Sequence, residues 1–310
     1  MSPSPEMACH GEHGGGPKLE HVTCIIVSFR PEIAQLRRLC EDILTDGAKV
    51  VVVDNTEAPS LSASELPAAC ELIAVGHNSG IAHAQNLGVA HALNAGATVL
   101  VFFDQDSKIG PGFLPALVAP LNPRDPAITS PLYVEDVSNT PLPSLRIGRF
   151  GLPTAVHGAE QTKPYAVDIV ISSGTAATTE VFQIAGMFDE ALFIDGVDTE
   201  WCLRCRSKQI PIHVVPAAIM HHRVGNRSIR LGRFTILQHS PTRCYYQLRN
   251  CFHMMRRKHV PLAFALRHML SVLFSRTALL FLISDRHPYI SAYFAGLRDG
   301  MKGVTGVRPG

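Results

Sequence analysis

The chain predicts an α/β protein built on a doubly wound, mostly parallel sheet, and three features of the sequence carry that prediction. Short apolar runs alternate with helix-length segments from about residue 21 to residue 106. Proline near the helix starts and glycine past their ends punctuate the boundaries. Successive apolar runs also end in polar residues: Ser28, then Asp54 with Asn55, then Asn78, then Asp104 with Asp106. In an open parallel sheet, ligands sit beyond the carboxyl ends of the strands, where these residues fall.

Taken in order, "VTCIIVSF" after His21 is a short apolar run suited to a strand buried on both faces, and "PEIAQLRRLCEDILTDG" is a helix with proline near its start and glycine after its end. "AKVVVVDN" is a second buried strand and "CELIAVGHN" a third. "GIAHAQNLGVAHALNAG" is a helix closed by Gly96, and "ATVLVFFDQD" a fourth strand. Strands alternating with helices imply right-handed crossovers. Residues 122–166 are proline-rich and aperiodic, readable as loops and short strands of an acceptor-side lobe. "YAVDIVISSG" returns to a buried strand, followed by a small-residue turn at Ser172, Ser173, Gly174 and Thr175 and a helix to about Ala185. Such small residues let backbone approach a ligand, and a tight turn uses them equally well.

Composition narrows the class. With 310 residues, 46% hydrophobic and 17% charged, the chain has the makeup of an enzyme-sized globular body. A net charge of +2 argues against a nucleic-acid partner, although basic residues gather after position 200, where an anionic partner is expected to bind. The eight cysteines include one CxxC, Cys202 to Cys205, but a zinc site wants a second such pair, so reduced thiols are expected. Residues 1–19 read as a disordered, Gly- and Pro-rich tail without an apolar signal core.

Carboxylates are costly at the end of an apolar strand unless a cation or ligand compensates. Asp104, Asp106 and His222 offer oxygen and nitrogen donors suited to a hard divalent ion carrying phosphate oxygens. Farther on, "FDEALFIDGVDTEWCLRC" concentrates Asp189, Glu190, Asp195, Asp198 and Glu200. A helix starting near Gly196 or Val197 carries Asp198 and Glu200 in its first turn, where the dipole favours negative charge; capping accounts for one acid better than for three. The remaining reading puts Asp195 and Asp198 in a cleft, with one carboxylate free to act as a base.

These stretches together resemble a known family. "VVVDN" (51–55), "HNSGIAHAQNLG" (77–88), "FFDQDS" (102–107), "ISSGT" (171–175), "FDEALFIDGVDTEWCLR" (188–204) and "HHRVG" (221–225) occur in the order found in the inverting glycosyltransferases of family 2, with the GT-A fold. Within that family the chain is most similar to bacterial dTDP-L-rhamnosyltransferases, and "YYQLRN" (245–250) resembles the subfamily that adds the second rhamnose in rhamnolipid synthesis. The resemblance covers residues 21 to about 260 and implies a GT-A domain over 20–250, divided into a nucleotide half (20–120) and an acceptor half (121–250), with a helical extension over 251–310.

The resemblance also implies roles. Asp54 contacts the thymine or ribose, Asn78 and Gly80 line the nucleotide pocket with Ser28, Asn55 and Asn86, and Asp104 faces the ribose or sugar. Asp106 is the main protein ligand of Mg²⁺ or Mn²⁺, and His222 reaches the metal or the diphosphate. Asp198 takes the place of the catalytic base in a pattern written Glu-Asp-x-Asp, here with Val197 for the first acid and Glu200 for the last. Ser173, Gly174, Asp195 and Glu200 fall on the acceptor side, and Arg204 braces the acidic loop. The implied reaction inverts the sugar's anomeric centre in one displacement. It moves rhamnose from dTDP-L-rhamnose to a mono-rhamnolipid, or alternatively to a polyprenyl-linked surface polysaccharide.

Residues 262–283, "LAFALRHMLSVLFSRTALLFLI", are long enough to span a bilayer but are interrupted by Arg267, His268 and Arg276. Arg267, His268, Ser271 and Ser275 form a narrow polar stripe at helical spacing, which suits a core helix or one lying in a membrane interface. The basic cluster Arg256, Arg257 and Lys258 and a lipid acceptor favour the interface, and with it a cytoplasmic protein peripheral on the inner membrane.

Overall fold

The computed structural model describes residues 16–58, 61–136, 139–222, 228–231 and 234–309; the side chains of residues 222, 228–231, 234 and 235 lie outside that description. The chain runs β1 (Val22–Ser28), α1 (Ile33–Thr45), β2 (Lys49–Glu57), β3 (Cys70–Gly76), α2 (Ile81–Asn94), β4 (Val99–Asp104), α3 (Phe113–Val118) and β5 (Ile128–Glu135). A hairpin follows, β6 (Ser144–Ile147) with β7 (Pro153–Val156), then β8 (Tyr165–Val167), β9 (Ala176–Thr178), α4 (Thr179–Ala185) and α5 (Val197–Ser207). The chain continues with β10 (Ile212–His222), a second hairpin of β11 (Ser228–Leu231) and β12 (Phe234–Leu237), and three helices: α6 (Pro241–Arg256), α7 (Leu262–Leu282) and α8 (His287–Lys302).

Eight strands form one sheet in the order β3-β2-β1-β4-β9-β5-β10-β8. The pairs β3/β2, β2/β1, β1/β4 and β5/β10 are parallel, whereas β9 runs antiparallel between β4 and β5, and β8 is antiparallel to β10. The apolar runs are continuous because both faces are covered. Ile25, Val51, Val53, Leu100 and Phe102 pack into one core with α2, α4 and α5, while their neighbours Cys24, Ile26, Val50, Val52 and Phe103 pack into the other with α1 and α3. The chain order leaves β1 in one direction toward β2 and β3, and β4 lies on its other side. The point between β1 and β4 is thus the switch at which ligands enter such sheets, and Asp104 ends β4 there.

The observed elements agree with the predicted α/β architecture through β4. Beyond it, two readings change. Residues 122–166 contain β5, a fully integrated strand, rather than only loops and short strands. "YAVDIVISSG" is not one buried strand: three residues of it form the edge strand β8, and the return to the sheet comes later, at β9. The boundary expected at residue 250 falls inside α6, which runs unbroken to Arg256. Residues 1–15 of the expected tail lie outside the described residues.

Candidate active site

A cleft of about 760 Å³ opens at the carboxyl end of β4. Asp104 and Asp106 form one wall, Ile171 to Ser173 the floor, Ile194 to Asp198 the opposite wall, and Leu237 to Ser240 with Arg243 the outer side. The two aspartates are aimed by the residue between them. Gln105 turns away and bridges to β1, its Oε1 accepting from Phe29 N–H (2.6 Å) and its Nε2 donating to Phe29 O (3.3 Å). Asp104 ends β4 and Asp106 lies in the turn after it, and both line the cleft.

The floor is a turn of small residues. Ser173 Oγ accepts from Asp104 N–H (3.3 Å) and shares a hydrogen bond with Ser107 Oγ (2.8 Å). Gly174 sits at φ +81°, and a Cβ there would lie 2.6 Å from Met220 Sδ and 2.9 Å from Pro131 Cγ, so this glycine serves a packed turn. Ser172 N–H donates to Asp198 Oδ2 (3.1 Å), fixing that carboxylate on the cleft side of α5.

The wall carrying Asp195 and Asp198 is backbone held against its preference. Phe193 (φ +65°) and Asp195 (φ +63°) occupy left-handed positions, followed by Gly196 (φ +84°). Such strain persists only where neighbours over-determine it. Here α6 does so: Asn250 Nδ2 reaches the carbonyls of Leu192 (2.9 Å), Ile194 (2.7 Å) and Asp195 (2.8 Å), and Arg249 Nη2 those of Ala191 (3.0 Å) and Leu192 (2.9 Å). The motif "YYQLRN" is therefore a clamp on the acidic loop. From the other side, Gly80 allows Phe193 to close on the start of α2; a Cβ at Gly80 would lie 2.6 Å from its ring, and Ile81 N–H donates to Phe193 O (2.8 Å).

Charge in the cleft is unbalanced. Burial, together with Asp198 and Asp106, pushes the Asp104 carboxyl up to about 7, opposed by Arg243. Burial also raises Asp198, opposed by its hydrogen bonds from Ser172 and aided by Asp195. Arg243 is committed to Asp195 through a two-pronged pair, Nη2 to Oδ1 (2.6 Å) and Nε to Oδ2 (3.2 Å). Raised carboxyls with hard oxygen donors and one committed cation fit a divalent ion such as Mg²⁺ or Mn²⁺. Among the described residues no three His, Cys, Asp or Glu side chains gather as a metal cluster; Asp104 and Asp106 are the two cleft acids on the β4 side that could hold such an ion. The side chain of His222 and the rest of its motif, 223–225, lie outside the described residues.

Other expected site residues are placed differently. Ser28 and Asp54 are fully buried, and Asp54 accepts from Ser28 Oγ (2.9 Å), Thr56 Oγ1 (2.7 Å) and Leu61 N–H (2.8 Å). Its carboxylate is a buttress beneath the pocket and offers no surface to a base or ribose in this structure. Asn55 Oδ1 accepts from the backbone and side chain of Ser79 (both 2.8 Å), and Asn78 Oδ1 from Gly80 N–H (3.1 Å), an arrangement that shapes the turn into α2. Asn86 is occupied by Phe188 and Glu190, tying α2 to the acidic loop.

Glu200, expected on the acceptor side, is 1% exposed and faces away from the cleft. Arg204 grips it with Nη2 (2.7 Å) and Nε (3.1 Å) while Nη1 holds the carbonyls of Ala185 and Met187, so Arg204 is the brace its position suggested. His259 Nε2 lies 2.7 Å from Glu200 Oε1 but outside hydrogen-bond angles. The reason is helical geometry: two residues along α5 rotate the side chain by about 200°, from cleft to core.

Sequence reasoning missed Arg243, His239 and Gln238, all lining the cleft. One signal for them existed. Ser240 caps α6 by accepting from Arg243 N–H (3.3 Å), with Pro241 in the first turn, and a helix start predicted there puts Arg243 near the mouth of whatever lies before it.

A mostly parallel α/β sheet with an acidic cleft at its switch point describes a nucleotide-dependent transferase of the GT-A kind. The chain belongs to glycosyl transferase family 2, whose model matches residues 24–192. It is 36% identical over 290 residues to the dTDP-rhamnosyl transferase RfbF of Shigella flexneri, covering 92% of this chain and 97% of that protein. Solved structures share the fold at low identity. GalNAc-T7 with UDP, GalNAc and Mn²⁺ superposes with a TM-score of 0.59 at 15% identity, over 92% of this chain and 56% of that one. TarS 1–349 of S. aureus in complex with UDP-GlcNAc gives 0.54 at 14% identity, over 91% of this chain and 81% of that one.

Proposed function

We propose that the protein is an inverting rhamnosyltransferase that moves L-rhamnose from dTDP-L-rhamnose to a hydroxyl of a glycolipid, with mono-rhamnolipid as the acceptor. The donor is inferred from the rhamnosyl transferase relative, which matches nearly end to end. The observation that carries the chemistry is the shared cleft: Asp104 and Asp106 face Asp198 across it, and Asp198 is held by a backbone N–H with a raised carboxyl affinity for protons.

In this reading Asp198 takes the proton of the acceptor hydroxyl as its oxygen bonds to the anomeric carbon. The bond from that carbon to the diphosphate breaks from the opposite face, and its electron pair leaves with dTDP, so the configuration inverts. Asp104 and Asp106, with His222 as the sequence expects, would hold Mg²⁺ or Mn²⁺, and the ion would neutralise charge on the departing diphosphate. Arg243 fixes Asp195, and the clamp from α6 holds the wall that carries Asp195 and Asp198 in place. A lipid acceptor places the enzyme on the cytoplasmic face of the inner membrane.

The test is release of dTDP from dTDP-L-rhamnose without acceptor, with mono-rhamnolipid, and with a polyprenyl-diphosphate-linked saccharide. Stimulation by mono-rhamnolipid is the expected result. Stimulation by the polyprenyl acceptor alone transfers the reading to surface polysaccharide synthesis, and stimulation by neither overturns the proposed acceptors.

A further inference from the structure

Helix α7 buries Phe264, Ala265 and Leu279 and also carries an apolar stripe on its outer side. Along its outer side Leu262, Leu266, Leu270, Phe274 and Phe281 follow at near-helical spacing and are 60, 41, 66, 52 and 80% exposed. The inner side instead brings His268, Ser275 and Arg276 to a separate cavity of about 280 Å³ between α7 and α6. Of the polar stripe legible in the sequence, His268 and Ser275 line this hole with Ser271 at its exposed rim, whereas Arg267 lies outside it and donates to Pro153 O (3.0 Å).

The cavity holds two unfinished polar groups. Arg276 is 7% exposed, and its guanidinium donates only to neutral acceptors: Leu237 O (3.0 Å), Ser275 Oγ (3.4 Å) and Cys244 Sγ (3.8 Å). Among the described residues no carboxylate lies within ion-pair distance of it. A cation so buried is costly without a counter-charge. Gln247 Oε1, on α6, is buried with no donor. Beside them His268 is kept toward its neutral form by burial, stacked on Phe264 at 5.9 Å, so it adds no competing charge. Asp195 and Gly196 line both this cavity and the catalytic cleft, which makes the two neighbours through one wall.

We propose that this cavity receives the anionic group, carboxylate or phosphate, of an amphiphilic acceptor, with Arg276 as its counter-charge and Gln247 Oε1 accepting from an adjoining hydroxyl. The acceptor's apolar chain leaves along the exposed face of α7. The assignment rests on the transferase reading for the word acceptor, but the binding it describes does not require donor or turnover. The cleft would accept the sugar hydroxyl while the cavity beyond Asp195 holds the charged end.

The test is calorimetric titration of the full chain with dodecyl phosphate, dodecanoate, neutral dodecyl maltoside and inorganic phosphate, each detergent below its micelle concentration. At least one charged amphiphile should bind ten or more times tighter than dodecyl maltoside and than inorganic phosphate, and Arg276→Gln should remove that margin. Preference for the phosphate points to a polyprenyl-phosphate source, and preference for the carboxylate to an acyl acid; either supports the site. Because Arg276 is buried, Ser271→Leu at the cavity rim is the second variant, expected to weaken the charged amphiphile at least tenfold while the protein melts as the wild type does. Equal binding of the neutral detergent, equal binding of inorganic phosphate, or amphiphile binding untouched by Ser271→Leu overturns the proposal. Failure of wild-type protein to bind dTDP counts against the transferase reading alone, so the two can fail separately.

Discussion

The two sides of the acidic loop use the same residue types for opposite ends. On the cleft side, Asp104 and Asp198 are half-buried carboxyls with raised proton affinity, left short of cations. On the core side, Glu200 is more deeply buried, at 1% exposed, but is gripped by Arg204, and Asp189 is paired with Arg257. The difference teaches that burial does not by itself mark a functional acid; the missing counter-charge does. Acids whose partners are supplied by the fold hold the loop, and acids whose partners are left out wait for a ligand.

The sharpest way to break this contrast is to neutralise one acid on each side. Asp198→Asn should cut the turnover number by about 10² to 10⁴-fold, the range of a general base, with donor affinity nearly intact. Rate and dTDP binding measured on the same preparation check it; equal losses in both would make Asp198 a binding residue. Glu200→Gln should act on stability, costing about 3–5 kcal/mol as Arg204 loses its buried partner. Urea unfolding reads that loss, and the surviving folded fraction should keep far more activity than Asp198→Asn.

Removing the clamp comes next. Asn250→Ala strips the carbonyls of Leu192, Ile194 and Asp195 of a buried donor, and about 1–3 kcal/mol of stability should go with it. If the wall matters for positioning, the acceptor's kcat/KM falls while dTDP affinity holds.

The smallest effect is a slope. Asp104 has a carboxyl pushed up to about 7 in the folded protein against an ordinary 3.8 in the unfolded chain. Between those values the native state binds more protons than the unfolded state, so this residue makes stability fall as pH rises from about 4 to about 7. Asp104→Asn should flatten that fall in metal-free protein, and Mg²⁺ should flatten it in the wild type. A denaturation series across pH 4–8 in a chelator and in Mg²⁺ measures both; a slope unchanged by the substitution removes Asp104 as its source.

Much of the donor half was legible because it is local. A buried parallel strand writes itself as an unbroken run of Val, Ile and Phe, and the turn after it must carry the polar residues, so Asp104 and Asp106 could be placed from "VLVFFDQDS" alone. The acceptor half was not. Strand β5 contains Pro131 and sits in a proline-rich stretch, and only pairing with β10 and β9 makes it a strand. Asp54 has the sequence context of a ligand-facing residue and becomes a buttress because Thr56 and the Leu61 N–H fold back onto it.

By itself the sequence determined that β1, β2 and β4 are buried, where their polar ends lie, and that Asp198 belongs to a first helical turn, since each follows from the period of the backbone and from the solvation of short segments. The tertiary structure decided which acids stay without partners. Asp198 and Glu200 stand two residues apart in "VDTEW", and what separates them is the position of Arg204 on one side of α5 and the cleft on the other. The facing of α7 was decided in the same way: its stripe was visible, but only packing against α6 put His268, Ser275 and Arg276 beside a cavity and left Arg267 outside. Charge compensation is set by distances between residues far apart in the chain, which no local pattern encodes.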